Sequence, residues 1–394
     1  MAGMHTPARR RDSASAPIVA CAFAIAALAA CDGTRAPLSP KGLVGPEPTI
    51  ARPSDPRIRY TGRWDTSDLS VARAAWPAAA FAFAFSGTSL RLELEDEALA
   101  DGTPDDDWLA IAIDGRELAP LALSQGRHIY EIARGLAPGM HAVSAAKRTE
   151  AEVGTIGLCG IALEPGASLG PRPAAPARVV EMVGDSISTG FGIEGKSADC
   201  PFSAATEDAT RAYGALAAQE FGADVWIAAW KGKGVLVNDD PSDADTLPRL
   251  YERLRPADPG SRYTYTVHPD VVVLNIGTND FARTAPPDAE FRAAYAAFVA
   301  RLRALHPDAF LVLALGPMLF DEGDINFRTL ARDAIFAALA GARQRGDGKI
   351  EMIEFWTDPD EGAGCQVHPN RVTHRRMADE LARLLEAKLG WKRI

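Results

Sequence analysis

Val179-Val180-Glu181-Met182-Val183-Gly184-Asp185-Ser186-Ile187 is an apolar run that breaks on a glycine, an acid and a serine. A run of this length, closed by a turn signal, reads as a strand buried on both faces. Four later runs repeat the form, at Val225–Ala229, Val271–Ile276, Phe310–Leu315 and Ile350–Phe355. The stretches between them have a helical rhythm. One carries Phe291, Tyr295, Phe298, Leu302 and Leu305; another carries Met377, Leu381, Leu384 and Leu385. Unbroken strands alternating with amphipathic helices predict an α/β domain with a five-stranded parallel sheet covered on both faces. Such sheets hold their sites at the carboxyl ends of the strands. The residues that follow each strand are therefore where chemistry is to be sought.

After the first strand stands Ser186 in Gly184-Asp185-Ser186. A serine at a strand-to-helix turn projects from the sheet edge with its own N–H, which suits a nucleophile that helps hold an oxyanion. The same serine would serve equally as a helix N-cap. After the second strand, Trp230-Lys231-Gly232-Lys233-Gly234 offers two glycines whose backbone can approach a ligand closely. After the third, Gly277-Thr278-Asn279-Asp280 offers a neutral amide donor, or else an Asx turn. After the fifth, His368 sits in a loop ahead of the last helix, with Asp358, Asp360, Glu361 and Gln366 upstream. A neutral imidazole is the natural base for a serine hydroxyl near pH 7. Of the other histidines, His268 and His306 each precede Pro-Asp and read as turn residues, and His374 in the last helix is the rival base. Each signal is weak singly. One after each of four strands assembles a nucleophile, oxyanion donors and a base on one sheet edge.

Upstream the rhythm changes to period two. Phe81, Phe83 and Phe85 alternate, then Leu90, Leu92 and Leu94, then Leu109, Ile111 and Ile113, with a hairpin signal at Asp114-Gly115. Residues 57–165 are thus expected to form an antiparallel sandwich, joined to the α/β domain (178–394) by a Pro-rich linker at 166–177. A second Pro-rich stretch, 31–56, reads as an extended tether. Ahead of it, Arg9-Arg10-Arg11 and the apolar run Pro17–Ala30 have the make-up of an export signal, residues 1–30.

The whole chain has 394 residues, 24% charged, with a formal net charge of −10. No basic cluster survives beyond the N-terminus, which argues against nucleic acid and against an electrostatic grip on anionic lipid. Five cysteines are present, and none is spaced for a metal site. Cys21 leaves with the signal. Cys159, Cys200 and Cys365 would remain in an oxidising compartment, with one pair and one free thiol the simplest arithmetic. Cys200 and Cys365 are either bridged, which would pin the loop before His368, or two separate buried thiols.

These residues resemble those of the SGNH (GDSL-like) hydrolases, with Ser186, Gly232 (or Gly234), Asn279 and His368 in its four blocks. A narrower resemblance, to family 2 carbohydrate esterases, rests on Gly-Asp-Ser-Ile, on Gly-Lys-Gly-Val with Asn238 downstream, and on Gly-Thr-Asn-Asp-Phe. It also rests on Lys147-Arg148-Thr149-Glu150, Gly316-Pro317-Met318 and Cys365-x-x-His368-Pro369-Asn370. It implies a jelly-roll sandwich before a flavodoxin-like SGNH domain. It further implies a serine esterase acting on acetylated polysaccharide such as xylan or glucomannan, without metal or organic cofactor. The oxyanion hole would comprise Ser186, Gly232 and Asn279. Leu28-Ala29-Ala30-Cys31 resembles a lipoprotein signal, with Cys31 the lipidated residue. Membrane contact is then expected through that anchor alone, on a monomeric exported protein of the cell envelope. The chain departs from the family twice. Gln366 stands where an Asp often orients the histidine, so either a backbone carbonyl orients the ring or Asp358, Asp360 or Glu361 does. Lys231 stands where Ser is usual; it would favour an anionic glycan or, as expected here, point to solvent. The competing functions are deacylation of cell-envelope glycan and non-catalytic carbohydrate binding, which Gln366 keeps open.

Overall fold

Phe81, Phe83 and Phe85 alternate along strand Ala80–Ser86, and each is buried. Leu90, Leu92 and Leu94 do the same along Ser89–Ala98, as do Leu109, Ile111 and Ile113 along Trp108–Ile113. These inward faces meet in one apolar core between two antiparallel sheets. Asp114 and Gly115 both adopt positive φ, and Ile113 pairs with Arg116 across them, the tight hairpin that an Asp-Gly pair favours because both residues tolerate positive φ. The structure, a computed structural model, describes residues 49–98, 106–357 and 362–394. The export signal, Cys31, the tether up to residue 48, and Asp358, Asp360 and Glu361 lie outside the described residues.

The sandwich reaches further than the period-two runs. Thr49–Ala51, read from sequence as tether, pairs with Gly154–Leu163 and buries Ala51. Pro48 and Pro53 bracket that strand, so the ladder is formed where no proline interrupts it. In the stretch read as a linker, Ala167 and Leu169 are buried in the sandwich core and Leu169 bridges Phe85.

The parallel sheet has strands Val179–Gly184, Asp224–Ala229, Val271–Asn275, Phe310–Leu315 and Ile350–Glu354, in spatial order two-one-three-four-five. Val183, Leu274 and Leu313 meet helices Asp288–Leu305 and Phe327–Gln344 on one face. Val180, Val273 and Val312 meet Tyr213, Met377 and Leu381 on the other. Burial on both faces accounts for the unbroken runs. Order reverses between strands one and three, which opens a crevice at their carboxyl ends. Gly184 is in register with Ala229 on one side and Asn275 on the other, so the three strands end level at that crevice.

Buried ion pairs join sandwich and sheet. Arg63 meets Glu181 at 3.0 Å, with the Tyr263 ring 4.2 Å from its guanidinium carbon. Arg148 meets Asp208 at 3.1 Å. Within the sandwich, fully buried Lys147 meets Asp107 at 2.6 Å and donates to the carbonyls of Thr149 and Glu150. Such charges are tolerated inside because each is paired. His306 belongs to this interior. It closes helix Asp288–Leu305 in a turn, as its Pro-Asp context predicts, and its ring is buried with Nε2 2.7 Å from the Tyr251 hydroxyl, because Tyr251 and Glu181 offer it polar partners.

Candidate active site

Asp185 caps the turn Ser186–Thr189 by accepting from the Ile187 N–H at 3.1 Å, which sets Ser186 as the first residue of that turn. Gly184 has no room for a side chain: a Cβ there would stand 2.5 Å from the Asn275 carbonyl. The close approach of strands one and three that glycine permits brings Ser186 to the crevice. Burial pushes the Asp185 carboxyl up to about 7, and the charge of nearby Asp280 adds to it.

The loop before the last helix brings His368 over this serine. Its Nε2 lies 2.9 Å from Ser186 Oγ, and its Nδ1 lies 2.9 Å from the Gln366 carbonyl. A carbonyl oxygen only accepts, so Nδ1 must carry the proton and Nε2 presents its lone pair to the hydroxyl. Gln366 acts through its backbone; its side chain is exposed. Gln366 and Val367 hold φ near +52° and +62°, a conformation non-glycine residues rarely adopt, and one that turns the Gln366 carbonyl back onto the ring two residues later. The Cys200–Cys365 disulfide anchors this segment, as do hydrogen bonds from the Gln366 and Val367 N–H groups to the carbonyls of Cys200 and Ala198. The Phe191 ring lies 4.4 Å from the imidazole. Burial, with the Lys231 charge nearby, pushes the imidazole down to about 4. It is therefore neutral at pH 7.

Gly232, at φ +71°, lines the same cavity as Ser186, Asn279 and His368, a space of about 480 Å³. The Asn279 amide donates to the Lys233 carbonyl at 2.9 Å, which ties the third-strand loop to the second-strand loop. An amide has two N–H bonds, so one remains for a ligand. Asp280 secures the far end of the glycine loop by accepting from the N–H groups of Val235, Leu236 and Val237 at 2.8–3.0 Å. Gly234 serves packing: a Cβ there would fall on the Val237 carbonyl and the Asp280 carboxylate.

Residues 60–173 match the family described as Carbohydrate esterase 2 N-terminal, and residues 182–376 match the GDSL-like Lipase/Acylhydrolase family. A family two carbohydrate esterase from Clostridium thermocellum, solved in complex with cellohexaose, superposes with a TM-score of 0.79. It is 30% identical in sequence, over 85% of this chain and 99% of that one. The chain belongs to family 2 of the carbohydrate esterases. Curated relatives of this esterase include the cellulase/esterase CelE of Acetivibrio thermocellus, 30% identical over 86% of this chain but only 40% of that longer protein. An acetylxylan esterase / glucomannan deacetylase of Cellvibrio japonicus is 26% identical over 92% of this chain and 96% of that one.

Two sequence expectations about the esterase's site are corrected. Lys231 does not point free into solvent. Its Nζ is 3.2 Å from Glu152 of the sandwich and lies over the Phe191 and Phe202 rings, at 5.5 and 5.4 Å, because a carboxylate and two aromatic faces receive it. His374 is no rival base. It is fully buried, and its Nδ1 accepts from the Tyr213 N–H at 3.1 Å. Two contributors were not singled out from sequence: Asp280, whose place beside Asn279 after a strand was the available signal, and Glu152, for which there was none. Among the described residues, no helix is long and apolar enough to cross a membrane.

Proposed function

We propose that this esterase removes O-acetyl groups from a polysaccharide of the xylan or glucomannan type through an acetyl-enzyme. The observation that carries the reading is the 2.9 Å approach of a neutral His368 Nε2 to the Ser186 hydroxyl. His368 takes the Ser186 proton as Oγ bonds the acetyl carbon. The tetrahedral oxyanion is met by the N–H of Ser186, the N–H of Gly232 and the free amide N–H of Asn279. When the carbon–oxygen bond to the sugar breaks, His368 returns the proton to the sugar oxygen. Water then attacks the acetyl group, gives its proton to His368 and releases acetate, and Ser186 recovers its hydrogen. The residue that orients the imidazole is Gln366, through its carbonyl, so the site works as a Ser–His dyad.

The substrate reading draws on the relatives named for acetylxylan and glucomannan deacetylation. Acetate release from acetylated xylan, acetylated glucomannan and O-acetyl peptidoglycan, compared side by side, tests it. Preference for the plant polymers supports the reading, and preference for peptidoglycan replaces it with envelope-glycan deacylation. Failure on every ester, nitrophenyl acetate included, would leave binding alone. Loss of all release in Ser186→Ala, with the fold retained, is expected. We further infer export and lipidation at Cys31, supported by Leu28-Ala29-Ala30-Cys31 after a basic, apolar leader and in keeping with the Cys200–Cys365 bridge. Metabolic labelling with a fatty-acid analogue, lost in Cys31→Ser, tests it.

A further inference from the structure

The loop that carries Gly232 is gripped at both ends by buried acids from different parts of the molecule. Its far end is held by Asp280, from the turn after the third parallel strand. Its near end is held from the sandwich: the Lys231 N–H donates to Glu150 Oε2 at 2.6 Å. Glu150 is wholly buried, and its own N–H donates to Glu207 at 3.0 Å. The Thr189 hydroxyl, three residues beyond the nucleophile, donates to the Ser186 carbonyl at 3.0 Å within the same helical turn. Lys147 holds the Glu150 carbonyl at 2.9 Å. A line of polar contacts therefore runs from Glu207 of the catalytic domain, through Glu150 of the sandwich, to the peptide next to Gly232. The two nearby ammonium groups make their ion pairs elsewhere, Lys147 with Asp107 and Lys231 Nζ with Glu152. Among the described residues, the second oxygen of Glu150, Oε1, has no hydrogen-bond partner. A buried acid in that position is costly for stability alone.

We propose that Glu150 is a positioning residue for the oxyanion hole: by holding the Lys231 amide it aims the next N–H, that of Gly232, at the oxygen developing above Ser186, and so makes the sandwich part of the catalytic unit. The proposal rests on the esterase reading above. It explains why a β-sandwich with its own core is joined to the catalytic domain through buried charges. It also gives Glu150 a task that packing does not require.

A misplacement of about 1 Å in an active site can cost on the order of 100-fold in rate, comparable to the lower end of losing one oxyanion donor. The test uses the full chain with Glu150→Gln, Glu150→Asp and Glu150→Ala. The readouts are kcat and KM on an acetyl ester, inhibition by phenylboronic acid as a tetrahedral mimic, and the unfolding midpoint. Gln keeps an acceptor at the same reach, Asp withdraws it by one methylene, and Ala removes it. The proposal expects Asp and Ala to lose about 100-fold in kcat with KM within about 3-fold, boronate affinity falling in step, and Gln to stay within about 10-fold of the parent. Wild-type-like kcat in folded Asp or Ala would overturn it. So would a Gln variant as poor as Ala, or activity lost only in proportion to unfolded protein. If Ala does not fold, the contrast between Gln and Asp decides. Inactivity of the parent chain itself would instead refute the esterase reading, so the two failures are told apart.

Discussion

The acid limb of the pH–rate profile tests how the imidazole is oriented. Burial and the neighbouring Lys231 push His368 down to about 4, against an ordinary value near 6.5. The group at its Nδ1 is the uncharged Gln366 carbonyl, which fixes the tautomer and favours the imidazolium less than a carboxylate would, so burial outweighs it. The sign follows directly: protonation disables the base, and a depressed value moves that loss to lower pH. At pH 5 a base of pKa about 4 is about 90% neutral, whereas one of pKa 6.5 would be about 3% neutral. Activity at pH 5 is therefore expected within about 10% of the pH 7 value, where an unperturbed histidine would show a roughly 25-fold fall. The assay is discontinuous release of acetate, measured as kcat/KM so that the free enzyme is titrated, because nitrophenol absorbance itself changes over this range. A single-proton acid limb near pH 4 to 5 supports the reasoning. A limb at or above 6.5 would refute it, and would point to a carboxylate pairing with Nδ1.

Asn279→Ala removes one of the proposed oxyanion donors and also its tie to the Lys233 carbonyl; kcat should fall about 10²–10³-fold with KM little changed, read by steady-state kinetics. His374→Phe should leave kcat near the parent's while lowering the unfolding free energy at pH 7 by about 1–3 kcal/mol, because the buried Tyr213 N–H loses its acceptor. Burial depresses His374 to about 3, so the unfolded chain binds the extra proton first and stability falls as pH drops from about 6.5 to about 3. The Phe variant should show a shallower fall over that window in denaturant titrations. Lys231→Ser keeps the backbone donor but removes a cation already paired with Glu152; the ratio of rates on neutral and uronate-bearing acetylated glycans should shift by less than about 3-fold, and a larger loss on the uronate polymer would show that Lys231 reads charge. Replacing Cys200 and Cys365 together by Ala releases a link 165 residues apart in sequence; a loss of about 2–4 kcal/mol in chemical denaturation is expected.

What the sequence made legible was set by periodicity and by chain-local chemistry. Phe81, Phe83 and Phe85 announce a buried strand face because alternation survives any choice of partner strand. The runs at 179, 225, 271, 310 and 350 announce parallel strands because burial on both sides removes the alternation. Ser186, Gly232, Asn279 and His368 could be gathered in advance because one rule, sites at the carboxyl ends of strands, places all four. Nothing comparable relates Lys231 to Glu150 and Glu152, some eighty positions earlier in a different fold. Period tells which face of an element is buried, not which foreign loop will lie against it. The same limit explains His306, whose Pro-Asp context is that of a turn while its partners Tyr251 and Glu181 come from elsewhere in the domain. The unreadable part of the site is therefore its supporting frame, where a sandwich carboxylate meets a sheet-edge loop. It follows that swapping the sandwich for another of equal stability should preserve Ser186 and His368 yet lower turnover, unless the graft supplies an acceptor to the Lys231 N–H.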